Sequence, residues 1–123
     1  MVEDRNAPFR WSVSDDGGVV TRWRRGWLRK WRADLSIEPS DVASIHVDVV
    51  DALVFDDVRL RFALAGSEAC ASEDDPGFEA LICWMSAHFT LSPPDWREIV
   101  EQHIRATPLN PMSLYLWTRS GLG

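Results

Sequence analysis

Cysteine is scarce in this chain: Cys70 and Cys83 are the two among 123 residues. That is too few for the several bridges that hold a small secreted framework together. Long apolar runs are missing as well, and nothing approaches the roughly 20 consecutive apolar residues that a membrane-spanning helix needs. The first residues, Met1 to Pro8, carry Glu3 and Asp4 with no apolar stretch behind them, so no signal peptide is expected. Together these absences predict a reduced, cytoplasmic protein. Cys83 stands in the run Leu81-Ile82-Cys83-Trp84-Met85, where a free cysteine is expected to behave as a small core hydrophobe.

The usual signatures of chemistry are also lacking. Glycines occur as Gly17, Gly18, Gly26, Gly66, Gly77, Gly121 and Gly123, which form neither GxGxxG nor GxxxxGKS, so no phosphate-cradling loop is expected. No serine sits in a GxSxG elbow. His46 and His103 each stand alone in their elements. Cys83 and His88, five apart on one expected helix, diverge by more than about 100° and do not make a ligand pair. Asp56 and Asp57 are adjacent in an expected strand and so face opposite sides. Glu73, Asp74 and Asp75 precede an expected helix, where the dipole and the exposed N–H groups favour acids. The chain therefore reads as non-catalytic, with no cofactor and no metal. An enzyme would have to be assembled from residues distant in sequence, with His46, His88 or His103 as its candidates.

What is present is a globular composition, 46% hydrophobic and 26% charged, which excludes collagen-like and disordered chains. At about 150 residues per domain, residues 1–123 read as a single domain. A chain of this size buries about two-thirds of its unfolded surface, enough for an unstapled core. Phe9-Arg10-Trp11-Ser12-Val13 alternates as a strand. Asp15-Asp16-Gly17-Gly18 turns it into a second arm that runs from Val19 to about Arg25, and Gly26 breaks that arm. Trp27, Trp31, Ala33, Leu35 and Ile37 share one parity, which predicts a third strand. After a turn at Pro39-Ser40-Asp41 come strands over Val42 to Val50 and Val54 to Leu64, then a short edge strand over Ala69 to Ser72.

The period then changes. Asp75-Pro76 is expected to open a helix, with Asp75 as cap. Phe78, Leu81, Ile82, Met85 and Phe89 form its apolar stripe, and the helix ends near Thr90. Ser92-Pro93-Pro94-Asp95 has capping-box spacing for a second helix, which would bury Trp96, Ile99, Val100 and His103. Leu114 to Trp117 reads as a last strand or a docked tail. The fold class is α+β: an antiparallel sheet of about six strands followed by two C-terminal helices.

Several positions carry a resemblance: Ser44-Ile45, Asp51, Leu60 and Phe62 in the strand pair, Glu73-Asp74 with Gly77-Phe78, Pro94 with Trp96, and Asn110 before Leu114 to Trp117. In these, residues 42–119 resemble a group of small uncharacterised bacterial proteins with a pleckstrin-homology-like sheet and C-terminal helices. A basic residue that the group places soon after Ile45 is absent here, where Val47, Val49 and Val50 stand. The resemblance implies a fold and no mechanism, with interaction or immunity-type roles among such proteins.

It leaves unexplained the one unusual segment. Arg22, Trp23, Arg24, Arg25, Trp27, Arg29, Lys30, Trp31 and Arg32 interleave cations with indoles, with no acid among them. Six of the 13 basic residues lie here, so seven remain against all 19 acids, a balance of −12 for the rest of the chain. Trp and Arg are the preferred anchors of protein interfaces. They also suit phosphate backbones and anionic membrane surfaces. The same residues would equally make an ordinary strand pair, with indoles in the core and guanidiniums paired to the domain's acids. An acidic remainder repels polyanions, which disfavours nucleic acid. The leading expectation is a protein partner bound through Arg22, Trp23, Arg24, Arg25, Trp27, Arg29 and Lys30. An anionic surface is the alternative, and a homodimer is left open.

Overall fold

The first two strands exist because their turn is closed by its own side chains. In the computed structural model, which describes residues 8–26, 28, 30–51 and 56–119, β1 (Phe9–Val13) and β2 (Val20–Arg25) pair antiparallel. Between them Ser14 N–H bonds the Val19 carbonyl, Gly17 N–H bonds the Ser14 carbonyl, and Asp16 Oδ1 accepts from Gly18 N–H and Ser14 Oγ. Gly17 takes φ 74°, which an L side chain adopts only under strain. β3 (Trp31–Ile37) adds to β2, giving the order β1-β2-β3. The expected third strand is thus shorter than its parity suggested. Leu28 and Lys30 lie outside the strand, Gly26 N–H bonds the Lys30 carbonyl just before Trp31, and Trp27 lies outside the described residues.

A 3-10 turn at Pro39–Asp41 leads to β4 (Val42–Asp51), β5 (Asp56–Leu64) and β6 (Ser67–Ser72), an antiparallel meander. Two helices follow, α1 (Phe78–His88) and α2 (Trp96–Ala106), and then β7 (Met112–Thr118). β7 pairs antiparallel with β4, so the second sheet runs β6-β5-β4-β7. The protein is α+β with antiparallel sheets, as its periodicities predict. Among the described residues there are seven strands in two sheets, however, not about six in one, and the run Leu114 to Trp117 is a strand after the helices, not a docked tail. Pairing of β7 with β4 is a long-range contact that local periodicity cannot report.

Two compact units emerge: residues 1–41 with 74–89, and residues 42–73 with 90–123. The first holds β1 to β3 and α1. Its core includes Trp11, Val20, Ile37, Leu81 and Met85, each at most 2% exposed. All five residues of the expected stripe on α1 are buried, joined by Trp84. Burial of each such side chain is worth about 1.5–3 kcal/mol. Cys83 is exposed, which corrects the expectation of a core thiol. It falls with Glu79, Ala80, Ser86 and Ala87 on the open side of the helix, because the residues on either side of it already define the buried stripe.

Nor does Asp75 cap α1. The N-cap is Gly77, at φ 86°, and the Asp75 carboxylate instead accepts from the Trp11 indole at 3.1 Å. The chain turns here against the edge of β1. Trp11 N–H bonds the Pro76 carbonyl, and a Cβ on Gly77 would stand 1.9 Å from the Trp11 carbonyl oxygen. Glycine is required there for close approach as well as for φ. The expected capping box of α2 is likewise unmade: Asp95 is the N-cap but makes no side-chain cap bond. Ser92 uses its backbone N–H for the Leu116 carbonyl.

In the second unit, register sorts the two faces of the sheet. Ile45, Val47 and Val49 stand opposite Phe62, Leu60 and Val58, with Ala69 and Ala71 beyond. All eight are buried. His46, Asp48, Arg59, Arg61, Cys70, Ser72, Ser113 and Tyr115 occupy the other parity.

Candidate functional site

Strand alternation divides the cation-and-indole segment between the two faces of the first sheet. Phe9, Trp11 and Val13 stand opposite Arg24, Arg22 and Val20, whereas Arg10 and Ser12 stand opposite Trp23 and Thr21. Across the other seam Arg25 faces Trp31 and Trp23 faces Ala33. One face therefore carries Arg22 and Arg24, and the opposite face carries Arg10, Trp23, Arg25 and Trp31.

Arg22 is committed inside the fold. Its Nε and Nη2 bond the two carboxylate oxygens of Asp34 at 3.0 and 3.2 Å, and its guanidinium lies 4.6 Å from the Phe9 ring centroid. A bulge in the β2–β3 register at Arg22/Trp23 leaves Asp34 unpaired along the ladder, which turns it toward Arg22. Asp34 is the sole acid in β1, β2 and β3. Arg24, Lys30 and Arg32 are exposed, and Trp27 and Arg29 lie outside the described residues.

The opposite face is more concentrated. Trp31 is half-buried, with the Arg10 guanidinium 4.9 Å and the Arg25 guanidinium 4.7 Å from its ring centroid. Trp23, also half-buried, anchors its indole N–H on Ser12 Oγ at 2.8 Å. Sequence reasoning placed Trp31 in the segment without singling it out, and it missed Arg10, which lies outside. The available signal was the polar parity of Arg10 and Ser12 in β1; what recruits Arg10 is the hairpin register that sets it opposite Trp23.

A second polar group lies on the four-stranded sheet. Asp48 accepts from Arg61 Nε at 2.9 Å and from Ser113 Oγ at 2.6 Å. Burial works against its ionisation, but the hydrogen bonds from Arg61 and Ser113 prevail and hold its carboxyl below the usual value. His46 rests against Tyr115, ring centroids 3.9 Å apart, and its shielded Nδ1 has no hydrogen-bond partner among the described residues. Burial and then the Arg61 charge push its pKa down from 6.5. Cys70, across the ladder from Arg61, has its thiol pushed up by burial and by Glu68, away from the thiolate that nucleophilic chemistry needs.

The other two histidines bind backbone. His88 Nε2 is 2.7 Å from the Gly17 carbonyl oxygen, and His103 Nε2 is 2.7 Å from that of Asn110. The carboxylates Asp56 and Asp57 are occupied separately: Asp57 by Arg59 Nε and Ser72 Oγ, Asp56 by the Leu109 N–H. Among the described residues no group of three or more His, Cys, Asp or Glu is arranged to hold a metal ion. No helix among them is long and apolar enough to cross a membrane. Comparison of the chain with protein-family models, curated proteins and solved structures returns no match.

Proposed function

We propose that this chain is a non-catalytic, cytoplasmic interaction domain that binds another protein through the face formed by Arg10, Trp23, Arg25 and Trp31. The observation that carries the reading is the convergence of two guanidiniums on the half-buried Trp31 ring. Trp and Arg are the side chains most often found at the energetic centre of interfaces. An indole already flanked by cations loses little rotamer freedom on binding. The proposal keeps residues 1–123 acting together as one domain, the chain passing three times between its two units. It also keeps the likeness of residues 42–119 to a pleckstrin-homology-like sheet, supported by the antiparallel β4–β5–β6 meander. An adaptor or immunity-type role in a bacterial cell follows from that likeness.

The test is a tagged pull-down from nuclease-treated lysate, washed at low and at high salt. A stoichiometric protein should be captured by the native chain and by Arg24→Gln, which changes the opposite face. It should be lost with Trp31→Ala and weakened with Arg10→Gln. Recovery of nucleic acid or lipid alone, released by salt, would transfer the reading to a polyanion surface.

A further inference from the structure

We propose that the outer edge of β6 pairs antiparallel with the same edge of a second copy of this chain, joining two four-stranded sheets into one continuous sheet. β6 lies in the second unit and the Trp31 face in the first, so this pairing is an interaction beyond the one proposed above.

Main-chain direction is the first argument. Glu73 N–H bonds the Val58 carbonyl at 2.8 Å, and this pair continues the register in which Leu60 faces Ala71 and Phe62 faces Ala69. Along an antiparallel ladder, hydrogen-bonded pairs alternate with non-hydrogen-bonded ones. Ala69 and Ala71 therefore direct their N–H and C=O groups at β5, whereas Glu68 and Cys70 turn theirs outward. Among the described residues no backbone group meets Glu68 or Cys70 on that side, and both residues are exposed.

The other sheet edges are guarded, as exposed edges generally are. On β1 the outward Trp11 N–H bonds the Pro76 carbonyl, and on β7 the Leu116 carbonyl accepts from Ser92 N–H. β3 carries the register shift opposite Arg22/Trp23. β6 keeps an unbroken register against β5, and its residues, Ser67-Glu68-Ala69-Cys70-Ala71-Ser72, include no proline, lysine or aromatic.

Symmetry and charge choose the alignment. A two-fold axis through Ala69 sets Glu68 of each copy opposite Cys70 of the other, which pairs the outward groups of both residues. Beyond that Cys70, on the same side of the sheet and two strand spacings (about 10 Å) away, stands Arg61 of the other copy. Its Nε and Nη2 hold Asp48, while its Nη1 lies 3.9 Å from its own Glu68, too far for a hydrogen bond. Glu68 of the second copy approaches this guanidinium over the short Cys70 side chain. Slipping the alignment by two residues would set Glu68 against Glu68, and directly opposed like charges destabilise. A foreign strand could meet the same main-chain groups, but only a second copy brings its own Glu68 and Arg61 in matching positions.

The experiment is sedimentation velocity of the full chain from micromolar to about millimolar concentration, with circular dichroism of each variant to confirm folding. The native chain should pass reversibly from monomer to dimer. Cys70→Pro removes an outward N–H without touching the β5–β6 ladder, and it should remain monomeric throughout. Glu68→Lys sets a cation beside Arg61 of the other copy and should weaken dimerisation at least about tenfold. Arg24→Gln, in the other sheet, should dimerise as the native chain does. Glu68→Cys combined with Cys83→Ser should give a covalent dimer on mild oxidation, linked from position 68 to Cys70, because opposed residues of such a pair lie about 5.5 Å apart. A native chain that stays monomeric up to millimolar concentration would overturn the proposal. So would a dimer that persists unweakened in folded Cys70→Pro and Glu68→Lys, or a covalent link that joins other positions.

Discussion

At the scale of single residues, the two glycines with positive φ in the first unit separate strain from space. Gly17 has nothing near the position of a Cβ, whereas a Cβ on Gly77 would sit 1.9 Å from the Trp11 carbonyl oxygen. Gly17→Ala should cost about 1–2 kcal/mol, the left-handed backbone penalty alone. Gly77→Ala adds a backbone clash and should cost about 3–5 kcal/mol. Urea unfolding of both variants checks the difference, and equal losses would mean that the close approach to Trp11 is not maintained in solution. His46 gives a pH signature. Its folded pKa lies below the ordinary 6.5, so the unfolded chain takes up a proton that the folded chain refuses. The stabilisation is complete above 6.5 and falls as pH drops below it toward the folded value. His46→Asn should flatten this part of the stability profile as pH falls below 6.5. Asp48, also depressed, acts in a separate window: its contribution is lost only as pH falls below the usual carboxylate value of 3.8.

At the scale of elements, α1 was legible and its edges were not. The spacing of Phe78, Leu81, Ile82, Met85 and Phe89 is local and survives intact as the buried stripe. Apolarity of the run around Cys83 misled, because residue type says less than angular position about which side of a helix a small thiol takes. Both cysteines are exposed as residues, but the Cys70 sulfur itself is partly shielded, so the two should differ in rate. In the native chain at mildly alkaline pH, Cys83 should react with a thiol reagent before Cys70, whose thiolate is disfavoured by burial and Glu68. Single Cys→Ser variants assign the two phases, and a buried, unreactive Cys83 would contradict the orientation of α1. On β2 and β3 the alternation was legible strand by strand, but the bulge that turns Asp34 onto Arg22 needs the partner strand to exist.

At the scale of the molecule, the chain interleaves its two units, since α1 returns to β1, β2 and β3 after three strands of the other sheet. Removal of residues 1–41 would take away the indole that binds Asp75 and the N–H that binds Pro76. It would also strip α1 of the strand it packs on. The fragment 42–123 should therefore aggregate, or bind a hydrophobic dye, at concentrations where the full chain stays monodisperse. Size-exclusion chromatography with light scattering decides this, and a monodisperse, cooperatively unfolding fragment would show that α1 does not depend on the first three strands.

The order of strands and helices, the turn at Asp16 and Gly17, the apolar stripe of α1 and the concentration of cations near Trp31 were all written in the sequence. Each depends on neighbours within a few positions, where period and turn chemistry operate. Tertiary structure decided the rest: the split into two sheets, the closure of β7 on β4, the use of Asp75 for an indole instead of a cap, and the arrival of Arg10 over Trp31. Those outcomes join residues tens of positions apart, through registers and edges that a single strand or helix does not contain.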